Sequence, residues 1–164
     1  MNISFSLLNN KFFKYRKKKN CEVFFLKKQS QISSHNISEL IKIGLKRNKD
    51  LKICIHKNIK EKLHSMINFL YKKKFYKPHK HTSDEVYHFI KGPLKIVIFN
   101  SNNSVSEILY LNKKTPIVRI DRHIYHMTIP TGHFSVFHEI KQGPFKKNKT
   151  LFIKKIFSSN ILNK

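Results

Sequence analysis

Two histidines separated by one residue are the first feature of this sequence that could support chemistry. His79 and His81 would project from one face of an extended strand, because side chains alternate between faces along a strand. Glu85 follows after a short bend, and His126 lies in a second strand-like segment further along the chain. Three imidazoles and one carboxylate fill four positions of a divalent cation and leave others open for water or substrate. The pattern therefore predicts a mononuclear metal site.

Short strands must hold these side chains in place. Branched and aromatic residues recur in short runs, with turns of polar, proline or glycine residues between them. The predicted strands cover residues 23–26, 51–55, 94–99, 105–111, 117–120, 124–129 and 134–140. Strands at this spacing indicate an antiparallel sandwich or barrel.

A helix is predicted between the first two strands. Asn36 is a capping side chain and Glu39 follows three residues later, as at the start of a helix. The apolar face of this helix comprises Ile37, Leu40, Ile41, Gly44 and Leu45. Asn48 can end the helix. Residues 59–70 are ambiguous, because their apolar positions fit a strand face as well as a helix, and periodicity alone favours the helix.

The net charge suggests a nucleic-acid partner, but the types of basic residue weaken that interpretation. The chain carries 34 Lys and Arg against 9 Asp and Glu, a formal charge of +25. Arginine occurs only at positions 16, 47, 119 and 122, so 30 of the 34 basic residues are lysine. Because arginine is the preferred residue for phosphate and base recognition, charge-driven nucleic-acid binding ranks last among the functions considered.

Chain length limits the number of domains, and cysteine content indicates the cellular compartment. A chain of 164 residues is long enough for one domain with a buried core. Its two cysteines, Cys21 and Cys54, form no CxxC pair and no disulfide framework, which predicts a reducing, cytoplasmic location. The first twenty residues lack the order of a secretory signal, and the sequence contains no apolar run long enough to cross a membrane.

The histidine motif resembles that of a known superfamily. The pattern His-x-His-x(3)-Glu-x(6)-Gly, which runs from His79 to Gly92, resembles the first motif of the cupins, and residues 121–126 align with the second. Three further segments are similar to WbuC-type cupin metalloproteins. They are residues 54–56, residues 77–81 and the closing Glu-Ile-Lys-Gln-Gly-Pro-Phe at 139–145, which is the most family-specific part. The resemblance covers residues 23–157.

The resemblance implies a mainly β chain that forms a single small cupin-type antiparallel β-barrel, or jelly roll, with one N-terminal helix. It also implies that residues 61–70 form a strand, against the helical periodicity. The expected division of the chain is a basic, flexible extension at 1–20, a strand and helix packing on the barrel at 21–50, the cupin barrel at 51–158 and a tail at 159–164.

The implied site holds one divalent metal ion (Fe, Mn, Ni, Co or Zn) through His79, His81, Glu85 and His126. The second motif departs from the cupin pattern, with Asp121 in place of proline and His123 in place of glycine. A residue other than glycine would be strained there if the turn requires a positive φ. The departure leaves His126 in register and admits His123 as a rival ligand.

Four other residues are candidates for contacting a substrate. They are His56, Tyr87, His123 and Lys141. For His56, Tyr87 and Lys141 the structural alternatives are a strand histidine facing solvent or a carbonyl, a core aromatic and a solvated surface lysine. No catalytic residue can be assigned from the sequence.

WbuC-type proteins are associated with gene clusters for surface polysaccharide (O-antigen) synthesis, so the resemblance implies a role in polysaccharide or sugar-nucleotide metabolism. The mechanistic hypothesis is Lewis-acid chemistry on a sugar or sugar-nucleotide. A second hypothesis is a sensor or binding module that holds a small ligand without turnover, since the fold does not decide between the two. Small barrels of this kind often pair through sheet edges, which would give a homodimer. No membrane partner is expected.

Overall fold

A computed structural model describes residues 6–9, 11–18, 21–28, 31–72, 76–144 and 150–152. Within these residues the elements in chain order are β1 (Phe13–Lys17), β2 (Cys21–Leu26), α1 (Ser34–Arg47), β3 (Asp50–Cys54), β4 (Leu63–Tyr71), β5 (His79–His81), β6 (Glu85–Lys91), β7 (Leu94–Phe99), β8 (Val105–Leu111), β9 (Ile117–Ile120), β10 (Tyr125–Pro130), β11 (Phe134–Gln142) and β12 (Thr150–Phe152). No helix in this part of the chain is long and apolar enough to cross a membrane.

The strands form two sheets. One has seven strands in the order β1-β2-β3-β4-β11-β6-β9, and the other has five in the order β12-β5-β10-β7-β8. This arrangement confirms the predicted mainly β jelly roll with one helix. Among the described residues the seven-stranded and five-stranded sheets stay separate layers, so the predicted cupin-type barrel takes the form of a two-sheet jelly roll that is not closed.

Strand β4 shows why periodicity misleads in residues 59–70. It pairs antiparallel with β3 on one side and with β11 on the other, so it is a central strand. Five consecutive residues, from Met66 to Leu70, are buried because both faces of the strand are covered. A run of buried residues contains apolar positions at helical as well as strand spacing. The strand that the family resemblance implied is therefore confirmed.

Helix α1 begins three residues earlier than the sequence predicts. Its N-cap is Ser33, whose side chain accepts a hydrogen bond from the Asn36 backbone N–H, while the Ser33 backbone N–H donates to Asn36 Oδ1 at 3.0 Å. Asn36 therefore completes a capping box that begins at Ser33 instead of starting its own. The predicted end is confirmed, since Asn48 adopts a left-handed conformation with a φ of 50°.

The side of α1 that faces the sheet carries Gly44, which allows the helix to approach Phe69 of β4 closely. A methyl group at position 44 would lie 2.7 Å from Phe69 Cζ and closer still to two other ring atoms. We expect Gly44→Ala to destabilise the fold by about 1–3 kcal/mol through overpacking, despite the better helix propensity of alanine. Urea unfolding measures the change, with Gly132→Ala as the control because the nearest atom there lies at 4.0 Å. A more stable Gly44→Ala protein would contradict this packing.

The N-terminal segment is more ordered than predicted. Strand β1 pairs antiparallel with β2, and Leu7, Phe12 and Phe13 belong to the core cluster beneath α1. Glu39 of α1 accepts hydrogen bonds from Ser6 Oγ at 2.6 Å and from the Leu7 backbone N–H at 2.7 Å. The prediction of a loose extension at 1–20 is therefore wrong for residues 6–9 and 11–18, because their apolar side chains are buried. The rest of that segment and the predicted tail at 159–164 lie outside the described residues.

Candidate metal centre

The pairing of β5 with β10 brings three histidines together. His79 and His126 are direct partners across this antiparallel ladder, and His81 shares the face of β5 that carries His79. One ring nitrogen of each histidine lies within 4.8 Å of those of the other two. We call His79, His81 and His126 the three-histidine group. Its members come from distant parts of the chain, so the group exists only in the folded protein.

Each ring in the three-histidine group is anchored through Nδ1. The Nδ1 atom of His79 lies 3.1 Å from the Lys77 carbonyl oxygen, and that of His126 lies 3.1 Å from the Ile124 carbonyl oxygen. His81 Nδ1 lies 3.1 Å from the hydroxyl of Thr150. A carbonyl acceptor requires a proton on Nδ1, which leaves the lone pair on Nε2. For His79 and His126 the anchoring therefore favours the tautomer that binds a cation through Nε2.

Two of these imidazoles are neutral at physiological pH. Burial and, after it, the neighbouring His126 lower the pKa of His79 to about 4. Burial also lowers the pKa of His81 to about 4, with the ammonium of Lys141 as the next contribution. Because only a neutral imidazole offers a lone pair, these histidines are in the state that a metal requires. The donor set therefore fits a divalent ion.

Glu85 is the charged centre of the site. Glu85 is 1% exposed, and its Oε2 accepts a hydrogen bond from the Tyr87 hydroxyl at 2.8 Å. The Nε2 atoms of His81 and His126 lie 3.2 and 3.1 Å from its two carboxylate oxygens. Burial alone would raise the pKa of Glu85, but the ammonium of Lys141 is the largest of the contributions that hold that pKa well below its usual range. Glu85 is therefore an ionised carboxylate beside the three-histidine group.

Lys141 is held between two carboxylates. Its Nζ lies 2.8 Å from Glu85 Oε1 and 2.7 Å from Glu139 Oε1, and its side chain is 13% exposed. Burial opposes the charge of Lys141, yet the two glutamates raise its pKa above the usual value. Glu139 also accepts a hydrogen bond from Asn68 Nδ2 at 2.8 Å. The result is a buried network in which each charge has a partner.

A cavity of about 440 Å³ opens between the sheets in front of these residues. Both catalysis and ligand binding would need such a cavity. Its polar lining residues come from both sheets. The lining includes Asp50, Lys52, Asn68, Tyr76, His79, His81, Tyr87, Thr128, Glu139, Lys141, Thr150 and Phe152.

The structure brings together some of the residues predicted from the sequence and leaves others apart. His79, His81, Glu85 and His126 meet, and Tyr87 and Lys141 contact Glu85. Their roles as metal ligands or substrate contacts remain predictions. Lys141 Nζ is committed to two carboxylates instead of being a solvated surface amine.

The other two predicted contacts lie apart from the three-histidine group. His56 stacks on His64, with ring centroids 4.2 Å apart, and lines a neighbouring cavity. His123 is exposed, and its backbone N–H donates to the His81 carbonyl oxygen at 2.8 Å. Its φ of 66° confirms that the turn requires positive φ. Among the described residues, the group of potential metal ligands does not include His123, so the structure does not support a rival ligand there.

Several polar residues of the cavity were not predicted from the sequence. Glu139 lies two residues before the predicted contact Lys141 on β11, and the alternation of that strand was the signal that both face the cavity. Lys52 and Asn68 are partners in the β3–β4 ladder, which the sequence does not reveal. Tyr76 donates a hydrogen bond to Asp50 Oδ1 at 2.8 Å, a contact between segments far apart in the chain.

Comparisons with known proteins find one family model that matches part of the chain and several solved structures with a similar fold. A family model described as a domain of unknown function (DUF6016) matches residues 46–111. No curated protein sequence matches the chain. The structure of oxalate decarboxylase from Bacillus subtilis at pH 4.6 is similar, with a TM-score of 0.51 and 17% identity over 63% of this chain and 27% of that chain. Another structure of that enzyme, whose TM-score is 0.50, concerns its Mn(II) centres.

A further similar structure is the protein SO0799 from Shewanella oneidensis. Its TM-score is 0.49, and the 15% identity covers 57% of this chain and 63% of that chain. The chain thus spans about a quarter of the oxalate decarboxylase and less than two thirds of SO0799. At these identities the oxalate decarboxylase match shows the fold alone, which is the cupin-type jelly roll that the sequence predicts.

Proposed function

We propose that the protein is a metal-dependent cupin that binds one divalent ion through His79, His81 and His126, with Glu85 as the fourth ligand. The observation that carries the proposal is the three-histidine group, whose ring nitrogens lie within 4.8 Å of one another at the edge of a cavity of about 440 Å³. Glu85 supports it, because its carboxylate lies beside two of the rings and is ionised.

The bound ion would supply Lewis acidity toward an oxygen of a small-molecule ligand. The residues around it perform separate tasks. Tyr87 donates to Glu85 Oε2 and so fixes the orientation of the carboxylate. Lys141 keeps both Glu85 and Glu139 ionised within a buried region. The cavity of about 440 Å³ would hold the ligand beside the metal ligands.

The proposed substrate class is a sugar or sugar-nucleotide, and the proposed setting is surface polysaccharide synthesis in the cytoplasm. Its support is the similarity of residues 139–145 and of the histidine motif to WbuC-type proteins. Manganese is the first metal to test, because an oxalate decarboxylase with the same fold has Mn(II) centres. Fe, Ni, Co and Zn also suit mixed nitrogen and oxygen ligands.

The test is the metal content of protein purified without a histidine tag. We expect about one ion per chain after reconstitution with Mn, Fe, Ni, Co or Zn, measured by mass spectrometry. In His79→Ala/His81→Ala the affinity should fall by more than the ~10–100-fold that loss of one supporting hydrogen bond costs, because two ligands are missing. The control is His35→Ala/His133→Ala, which removes two exposed histidines. Equal metal content in the two double variants would refute the site.

A second candidate function is a non-catalytic module that binds a small ligand. The observation that favours it is the ionisation of the two glutamates that contact Lys141. The pKa values of Glu85 and Glu139 are both lowered, and both carboxylates are bonded to Lys141. Neither is poised to donate a proton at neutral pH. Ligand binding without turnover by the metal-loaded protein would favour this candidate over an enzyme.

A further inference from the structure

Asn68 has an unsatisfied acceptor in the wall of the 440 Å³ cavity. The residue is 1% exposed, and its Nδ2 is committed to Glu139 Oε2 at 2.8 Å. Among the described residues, its Oδ1 has no hydrogen-bond partner. A buried carbonyl oxygen without a donor is costly, so such atoms normally meet a water or a ligand. An O–H or N–H group of a ligand inside the cavity would therefore satisfy Asn68 Oδ1.

Lys52 places an ammonium group in the same wall. It is the partner of Asn68 across the β3–β4 ladder, and it lines the same cavity. Within the described part of the chain the ammonium group of Lys52 makes no hydrogen bond or ion pair, whereas that of Lys141 contacts two carboxylates. Its charge contributes to the lowered pKa of Glu139, although the hydrogen bonds of that carboxylate come from Lys141 and Asn68. Lys52 is thus available for an anionic group.

The charge of the cavity also favours an anion once a metal is bound. Two carboxylates and two ammonium groups line its described part, Asp50 and Glu139 against Lys52 and Lys141. Glu85 adds one negative charge behind them. A divalent cation would therefore leave a net charge of about +1.

A neighbouring cavity of about 260 Å³ provides room for the rest of a ligand. Lys52 and Lys141 line this cavity as well, so they form the boundary between the two spaces. Its floor is apolar and includes Val23, Phe25 and Met66. Lys18 contributes a further lysine to its wall.

We propose that these cavities bind a hydroxylated organic anion, whose anionic group contacts Lys52 and one of whose hydroxyl groups donates to Asn68 Oδ1. This inference rests on the proposed function, since the oxygens at the other end of the ligand face the three-histidine group. The anionic group can be a carboxylate or a phosphate, because an ammonium group binds both.

The first experiment is isothermal titration calorimetry of the Mn-loaded protein with four probes. Gluconate has hydroxyl groups and a carboxylate, glucose has hydroxyl groups only, and hexanoate has a carboxylate only. Glucose 6-phosphate replaces the carboxylate by a phosphate. We expect gluconate or glucose 6-phosphate to bind at least about tenfold more tightly than glucose and hexanoate. Glucose or hexanoate binding as tightly as the hydroxylated anions would overturn the proposal.

The second experiment locates the anionic group. Lys52→Met should weaken binding of the better hydroxylated anion at least about tenfold, while Lys52→Arg retains it because the charge is kept. Circular dichroism checks that each variant is folded. Lys113→Met, which removes an exposed loop lysine, is the charge-matched control. An equal loss in Lys113→Met and Lys52→Met would indicate non-specific attraction to a chain of charge +25 and would overturn the proposal.

Metal content and binding are measured on the same samples, so the two proposals can fail separately. If the wild type retains manganese but binds none of the four probes, this inference fails and the metal site stands. If the wild type holds no metal but binds gluconate in a manner that depends on Lys52, the anion site stands and the metal proposal fails.

Discussion

Replacing Lys141 with methionine should lower the free energy of unfolding of the metal-free protein by about 3–5 kcal/mol. The ammonium group is the shared cation of Glu85 and Glu139, which are 1% and 6% exposed. Methionine has a similar length and no charge, so it leaves two buried carboxylates without their cation. Both would have to take up protons or admit water, and either response stabilises the unfolded state relative to the folded one.

Urea unfolding at neutral pH in the presence of a chelator measures this loss. Lys113→Met is the control, since substitution of an exposed loop lysine changes stability by no more than about 0.5 kcal/mol. Lys141→Met/Glu139→Gln should recover part of the loss, because one of the two stranded charges is removed. A metal-free Lys141→Met protein as stable as the wild type would mean that the network contributes nothing.

The same variant separates the lysine from the proposed metal. Because Lys141 Nζ lies 2.8 Å from Glu85 Oε1, its charge repels a cation at the three-histidine group. We therefore expect Mn to stabilise Lys141→Met more than it stabilises the wild type, since the ion replaces part of the lost positive charge. Equal stabilisation of both proteins by saturating Mn would show that the lysine and the ion do not share Glu85.

The local part of the site could be predicted from the sequence. The spacing of His79 and His81 places both rings on one face of a strand, and this holds in β5. The meeting of these rings with His126 depends on the register of β5 against β10, which no local pattern specifies. That contact was predicted through the resemblance to cupins, and the structure confirms that the three residues are close.

The ion network could not be predicted in the same way. Lys141 is the partner of Glu85 across the β6–β11 ladder, so its ammonium meets the carboxylate through strand pairing. Because the chain has 30 lysines, the sequence offers no reason to expect that one particular lysine is buried. A pair such as Glu139 and Lys141, two residues apart on a predicted strand, indicates a shared face but not whether that face is the interior.

The N-terminal segment shows a similar limit. Its lysines suggested a solvated extension, whereas burial of Leu7 and Phe13 and the hydrogen bonds to Glu39 hold it against the helix. The spacing of Asn36 and Glu39 predicts that Glu39 belongs to a helix cap. It is recruited instead by residues over thirty positions earlier in the chain, and the cap is provided by Ser33 and Asn36. Local patterns cannot anticipate such long-range competition for one carboxylate.

Acid should destabilise the metal-free protein well before its carboxylates titrate. The pKa values of His79 and His81 are lowered to about 4 in the folded state, whereas an unfolded histidine titrates near ~6.5. Between these values the unfolded chain binds protons that the folded protein excludes. The stability contributed by the neutral rings is therefore complete above pH ~6.5 and is lost as the pH falls toward ~4, at up to about 1.4 kcal/mol per pH unit for each ring.

Urea unfolding of metal-free protein between pH 7.5 and 5 tests this expectation. The pH slope of stability should be smaller in His79→Ala/His81→Ala than in the wild type or in His35→Ala/His133→Ala, because only the first variant lacks the two buried rings. Identical slopes in all three proteins would contradict the lowered pKa values. The burial that makes the fold sensitive to acid also keeps these imidazoles unprotonated near neutrality. Protons therefore compete with a bound cation for His79 and His81 only as the pH approaches about 4.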